Sequence, residues 1–209
     1  MTSETPPMTR LKLLVVDDDE ALLELLAATL RQAGHHTLTA CDRPGAMELA
    51  RQEPDIQVAL CDLGLPPKPN EIVEGIQLVE QLLLLRPGLK VVVITGQDQE
   101  SAALAAIRAG AFDFLAKPVQ GGQIKAAVER AQLFARNEAA LRDAGESRIT
   151  IAARVDEGIR EAGEAAEERL LRQVLADTQF NVAEASRRLG LQRENIYYFM
   201  KKYGIKRDA

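Results

Sequence analysis

The feature that most limits what this chain can fold into is an alternation. Short apolar runs recur between longer segments of helical periodicity through the first two-thirds of its 209 residues. The runs at residues 11–16, 56–61 and 90–94 are almost continuously apolar, as a strand must be when both faces of a parallel sheet are covered. Weaker runs lie at 36–40 and 112–115. Segments 20–33, 44–52, 75–85, 99–109 and 122–141 carry helical spacing. In the first of these, Leu22, Leu25, Leu26, Thr29 and Leu30 are read as one face, and Gly34 as the stop. Five strand–helix units require right-handed crossovers and hence an α/β fold with a doubly wound, five-stranded parallel sheet. In such a sheet the functional crevice lies at the carboxyl ends of the strands.

Hydrophobic residues make up 46% of the chain but aromatics only 4%, with no Trp, so the core is expected to be aliphatic and alanine-packed. Cys41 and Cys61 match no metal-ligand spacing and are expected to be small buried residues in a reducing compartment. The first ten residues lack the apolar core of a secretory signal, and the longest apolar runs are too short to cross a bilayer. A cytoplasmic protein with no membrane partner is the expectation.

Charge is unevenly distributed. From Thr178 onward seven Lys and Arg stand against three Asp and Glu, which is +4, while the rest of the chain carries −9 of the total −5. A basic end on an acidic body suits a polyanion-binding module, although a solvated helical surface has the same composition. Between the two, residues 142–168 are charged and interrupted by Gly145, Gly158 and Gly163. Ile151, Val155 and Ile159 recur at four-residue spacing, and the segment reads as a linker with some helix.

The polar residues at the strand ends form a set. Asp17, Asp18 and Asp19 follow the first strand, Asp62 the third, Thr95 the fourth, and Lys117-Pro118 the fifth. Each is ordinary alone, and Asp19 reads as a helix N-cap. Three carboxylates in one small pocket repel one another, and a divalent cation turns them into oxygen ligands. The stretches Val15-Val16-Asp17-Asp18-Asp19, Asp62-Leu63-Gly64-Leu65-Pro66, Thr95-Gly96 and Phe112-Asp113-Phe114-Leu115-Ala116-Lys117-Pro118 resemble the receiver domain of bacterial response regulators. The resemblance implies a flavodoxin-like strand order 2-1-3-4-5 and phosphorylation of Asp62 by a sensor histidine kinase. It also implies Mg²⁺ held by Asp17, Asp18, Asp62 and the Gly64 carbonyl, with Lys117 pairing with the phosphoryl group. Thr95 is then its hydrogen-bond donor, and Phe114 the aromatic switch that responds to Thr95.

One departure stands beside the site. The family usually has Gly four residues after the Pro that follows the acceptor, whereas Pro66 and Gly75 are nine apart. The inserted Pro67-Lys68-Pro69-Asn70-Glu71 either tunes kinase choice or phosphate lifetime, or is a tolerated surface insertion.

The C-terminal segment is all helical by pattern: an apolar-faced helix at 169–176, Asn181 capping 182–189, a turn at Gly190, and a third helix at 193–203 closed by Gly204. Asn181 to Leu191, with Arg193, Ile196-Tyr197 and Lys201-Lys202-Tyr203-Gly204-Ile205, resembles the Fis-type helix-turn-helix. That resemblance implies a homodimer binding double-stranded DNA, with Arg193, Glu194, Tyr197, Lys201 and Lys202 as candidate contacts. Phe180 stands where the family usually has Gly, and Tyr198-Phe199 where it has a basic pair. Losing two cations lowers affinity and flattens its salt dependence. Phe199 shares a helical face with Ile196, Met200 and Tyr203 and is expected to extend either a buried or a dimer face, whereas Tyr198 points elsewhere, toward a phosphate contact.

The expected division is therefore a receiver at 10–141, a partly helical linker at 142–168, and a helix-turn-helix domain at 169–209. No GxxxxGK[ST] phosphate loop occurs, so this chain carries no ATPase motif and is read as a non-enzymatic transcriptional regulator. The alternative is a phosphorylation-dependent adaptor whose C-terminal bundle docks a protein. An aspartate-nucleophile phosphatase is disfavoured because Gly64 stands where such enzymes carry their acid.

Overall fold

A computed structural model describes residues 10–96, 99–146, 148 and 159–206. Five parallel strands, β1 (Lys12–Val16), β2 (His36–Ala40), β3 (Val58–Asp62), β4 (Lys90–Thr95) and β5 (Asp113–Ala116), form one sheet in the order β2-β1-β3-β4-β5. Helices α1 (Glu20–Gln32), α2 (Arg43–Gln52), α3 (Val73–Leu85), α4 (Gln99–Ala109) and α5 (Gly121–Asp143) make the crossovers, and α6 (Ile159–Asp177), α7 (Val182–Leu189) and α8 (Arg193–Lys202) follow.

The strength of each apolar run reflects its place in the sheet. β3 and β4 are buried along their whole length and β1 along all but its first residue, because each has a paired neighbour on both sides and helices over both faces. The edge strands β2 and β5 are only partly covered, so their sequences tolerate Thr, His and Asp. Side chains alternate between two cores. Leu14, Val16, Ala59, Cys61, Val91 and Val93 face α2, α3 and α4, while Leu13, Val15, Val58, Leu60, Val92 and Ile94 face α1 and α5.

Three expectations are corrected here. The buried stripe of α1 is Leu23, Leu26, Ala27 and Leu30. Leu25 is 61% exposed. The helix carries two overlapping leucine stripes, and the one that packs is rotated by one residue from the one expected. Strand β3 begins at Val58, two residues later than expected, because the Ile56 amide bonds back to Glu53 in the turn leaving α2. Its end is Asp62, which is therefore held by the β3–β4 ladder opposite Ile94. Finally, Cys61 is buried as expected, but Cys41 is exposed just past β2.

The segment expected to be a linker is helical at both ends, since α5 runs to Asp143 and α6 starts at Ile159. The spacing of Ile151 and Val155 lies outside the described residues. Helices α6 to α8 enclose a separate core of Leu171, Val174, Leu175, Ala185, Ile196 and Ile205, against which Phe180, Phe199, Met200 and Tyr203 pack. Gln179 and Phe180 both take positive φ, 52° and 58°. This left-handed conformation disfavours residues with a Cβ. The Phe180 amide donates to Leu175 O at 2.7 Å, and its ring covers the small core. Packing of the ring offsets the backbone conformation that a glycine would adopt freely.

His35 lies buried at the amino edge of the sheet, where its Nδ1 accepts the Leu11 amide at 3.3 Å. Burial lowers its pKa below the ordinary 6.5, only partly opposed by Glu129. Below about pH 6.5 the unfolded chain therefore binds a proton that the folded chain refuses, so folding stability falls as pH drops from that value. Denaturant titrations of the chain between pH 7.5 and 5.5 are expected to show this loss, and a His35→Gln chain a flatter profile. Identical profiles would show that another group titrates.

Candidate functional site

The sheet order assembles the site. Reversal of winding between β1 and β3 opens a crevice at their carboxyl ends, and the last residues of β3 and β4, with those just after β1 and β5, converge there. Asp17 immediately follows β1 and is fully buried; its Oδ1 accepts the Asp19 amide at 3.0 Å. Asp19 in turn caps α1, accepting the amides of Ala21 and Leu22 at 2.9 and 3.1 Å. Asp62 is 6% exposed and accepts the Leu63 amide at 2.8 Å. Asp18 sits at the exposed mouth.

Lys117 crosses this group. Its Nζ lies 2.9 Å from Asp62 Oδ2 and 3.0 Å from Asp17 Oδ2. The side chain passes over Gly96, where an added Cβ would stand 3.5 Å from the Lys117 Cβ. The Lys117 amide bonds to Thr95 O at 2.8 Å, fixing the start of that path. Burial alone would lower the Lys117 pKa, but its bonds to Asp62 and Asp17 outweigh burial and raise it, so the ammonium stays charged. Asp17 is pushed above the ordinary carboxylate range by burial, with Lys117 only partly opposing. One ammonium thus compensates two carboxylates incompletely. Ligand oxygens of Asp17, Asp18 and Asp62 lie within 4.8 Å of one another, a spacing and donor set suited to a hard divalent cation.

Thr95 ends β4 and is 1% exposed. Register pairs it with Ala116 and pairs Val93 with Phe114, so Thr95 and Phe114 share the face turned toward α4. Phe114 is 39% exposed. All the receiver-site residues expected from sequence therefore converge on one edge, apart from Phe114, which lies along β5 beside it.

Sequence reasoning missed what closes the pocket beside Gly64. A Cβ built there would meet Pro69 O at 2.4 Å, with Asp62 Oδ2 at 3.6 Å. The inserted loop folds back onto the site. The glycine at 64, three residues before a proline-rich insertion, was the available signal.

On α8, Arg193, Glu194, Tyr197, Tyr198 and Lys201 are exposed, and Ile196 faces the core. Among the described residues neither Arg193 nor Lys201 forms an ion pair. Lys202 differs: it lies 3.6 Å from Glu164 and 3.4 Å from Glu167 of α6, with its ammonium over the Tyr203 ring. Arg187 and Arg188 both pair with Glu184 on α7. Phe199 stacks with Tyr203 on the core side, the buried one of its two expected faces.

Comparison with known proteins covers both parts of the chain. The response regulator receiver domain family matches residues 13–129, and the Fis family of bacterial regulatory proteins matches residues 164–203. The response regulator protein PilR of Pseudomonas aeruginosa is 36% identical over 124 residues, 59% of this chain and 26% of its own length. The alkaline phosphatase synthesis transcriptional regulatory protein PhoP of Bacillus subtilis is 30% identical over 67% of this chain and 58% of its own length. This chain therefore spans only part of the length of these relatives. Among solved structures, the receiver domain of NtrX from Brucella abortus superposes with a TM-score of 0.53 at 32% identity, covering 57% of this chain and 96% of that one. A CheY-like receiver protein from Methanospirillum hungatei gives 0.57 at 26% identity, over 62% and 99%.

The acidic cluster carries a direct expectation. A cation that binds only the folded pocket stabilises the chain by about 2.7 kcal/mol at a hundred times its Kd. Thermal unfolding should therefore move upward on titration with Mg²⁺, and Asp17→Asn should abolish most of that response. Equal stabilisation of both chains would place the ion elsewhere.

Proposed function

Because this chain belongs to the response regulator receiver family and ends in a Fis-type helix-turn-helix, we propose that it is the phosphorylated DNA-binding output of a two-component system. A sensor histidine kinase phosphorylates Asp62, and the modified chain binds double-stranded DNA as a transcriptional regulator. The observation that carries this reading is the convergence of Asp17, Asp62 and Lys117 within hydrogen-bonding distance at the edge of a doubly wound sheet.

The chemistry is phosphoryl transfer. An Asp62 carboxylate oxygen attacks the phosphorus of a phosphohistidine, the P–N bond breaks, and the imidazole leaves with the bonding pair. Leu63 N–H holds the other carboxylate oxygen and so orients the nucleophile. Asp17, Asp18, Asp62 and the Gly64 carbonyl would hold Mg²⁺, which would supply positive charge to the phosphoryl oxygens. Lys117 already touches Asp62 Oδ2 and follows the added phosphoryl group by a small swing. Thr95 donates its hydroxyl to that group, and Phe114 on the same face moves inward as Thr95 does. Apart from this transfer and slow loss of the phosphoryl group, the chain has no enzymatic role.

The chain acts as three parts, a receiver at 10–141, a connecting segment at 142–168 and a DNA-binding module at 169–209. Helix α6 extends the module's first helix back into the connecting segment. The module reads the major groove with α8, using Arg193, Glu194, Tyr197 and Lys201. Lys202 contributes less, because Glu164 and Glu167 hold it. The chain works in the cytoplasm as a homodimer. Exposure of Leu104, Ile107 and Phe114 on the α4–β5 side, each 39% exposed or more, supports an apolar dimer surface beside the switch.

The test is binding to a pool of genomic DNA fragments, with and without a beryllofluoride mimic of the phosphoryl group, at two salt concentrations. Selective binding strengthened by the mimic is expected. Arg193→Ala with Lys201→Ala should reduce the slope of log affinity against log salt by roughly two, one for each phosphate that is no longer neutralised. Binding to no fragment in either state would overturn the DNA reading in favour of a protein-docking adaptor.

A further inference from the structure

The insertion after the phosphoacceptor is a built wall. Loop 66–71 leaves β3 through Leu63 and Leu65, both fully buried. It then folds back through two successive turns, with the Lys68 amide bonded to Leu65 O at 3.2 Å and the Glu71 amide to Lys68 O at 2.9 Å. Its far end is pinned where it began: the Gly75 amide donates to Leu63 O at 3.2 Å. A Cβ at Gly75 would fall 2.2 Å from Leu63 Cα, so α3 is pressed against the end of β3. Between these anchors the Pro69 carbonyl lies against Gly64, two residues after Asp62. The missing Cβ of Gly64 is the space into which the Pro69 carbonyl fits, 2.4 Å from that Cβ, and the same point lies 3.6 Å from Asp62 Oδ2. Loop backbone thus occupies the position where a side chain at residue 64 would stand over the nucleophile.

We propose that loop 66–71, through the Pro69 backbone seated on Gly64, sets the lifetime of the aspartyl phosphate by restricting the approach of water. The inference rests on the reading of Asp62 as the phosphoacceptor. The reaction controlled is hydrolysis of the acyl phosphate. Water attacks the phosphorus, the P–O bond to Asp62 breaks, and the carboxylate leaves with the bonding pair. Hydrogen phosphate and one proton are released.

Three features suit the loop to this task. Its inner side is backbone, which cannot rotate away as a long side chain can. Pro69 has a fixed φ, which limits how far its carbonyl can move from Gly64. Its outer side, residues 66–71, is exposed, so the wall is one polypeptide thick and a partner bringing a phosphohistidine meets it directly. Excluding water from a site of this kind protects a reactive intermediate from side reaction. Water attacks phosphorus along the same in-line axis that the phosphohistidine imidazole vacates, so the wall bears on both steps and its effect on loss is read after the donor is removed.

The test uses the full chain with phosphoramidate as donor in Mg²⁺, following the aspartyl phosphate after donor removal. One variant lacks residues 67–71, which restores a four-residue spacing between Pro66 and Gly75. The second, Pro69→Gly, keeps the length but loosens the wall. Both are expected to take up phosphate to the parental stoichiometry and lose it roughly three-fold faster or more, the shortened loop fastest. Should the shortened chain fail to fold, Pro69→Gly carries the comparison alone. Normal labelling of Pro69→Gly with a parental half-life would overturn the proposal. A parent chain that takes no phosphate at all would instead overturn the assignment of Asp62.

Discussion

Two carboxylates that share one ammonium are the constraint on which the rest of this structure depends. Asp17 and Asp62 are both buried, and the Lys117 ammonium at about 3 Å from each is the positive charge that balances them. Burying charge is tolerated only with such a partner. The three residues come from the ends of β1, β3 and β5, far apart in sequence. Only the order β2-β1-β3-β4-β5 brings them together, so the topology and the charge balance specify one another. The balance is incomplete, since one cation faces two anions with Asp18 at the mouth. That deficit suits the pocket to a divalent cation.

The C-terminal module has its own apolar core, and a few charges are used at its rim. Its three helices share six fully or nearly buried apolar residues with partly buried ones packed around them, and polar ties join the helices at the rim of that core. Arg172 ties α6 to the end of α8 through Tyr203 O at 2.9 Å, and Lys202 is held between Glu164 and Glu167. Cations used inside the module are cations withheld from a polyanion. What is left outward on α8 is two cations, one carboxylate and two tyrosines, a surface suited to base and sugar contacts as much as to phosphate charge.

How much of this was legible in the sequence follows from the physics of each element. Central strands had to be continuously apolar, so β1, β3 and β4 were readable, and with them the strand ends that carry Asp17, Asp62 and Thr95. Edge strands and helix faces are set by fewer contacts. The α1 stripe was misread because Leu22, Leu25 and Leu26 offer a second face as good as that of Leu23, Leu26 and Leu30. Burial was wrongly expected for Cys41 because the strand it follows is an edge, where covering depends on helix placement. Phe180, standing where the related family usually has Gly, takes a left-handed turn because its ring has a core to cover. The contact between Pro69 and Gly64 was invisible, since no local pattern says where a loop folds back. Only the glycine hinted at it.

The most direct test of the central claim is chemical trapping of the modified residue. After reaction with a small phosphodonor in Mg²⁺, borohydride reduction converts an aspartyl phosphate to a homoserine, which mass spectrometry locates in the proteolytic peptides. Reduction is expected at Asp62 alone, and at no residue when Mg²⁺ is omitted. Reduction at another carboxylate, or none while the folded chain retains its Mg²⁺ response, would contradict the assignment of Asp62.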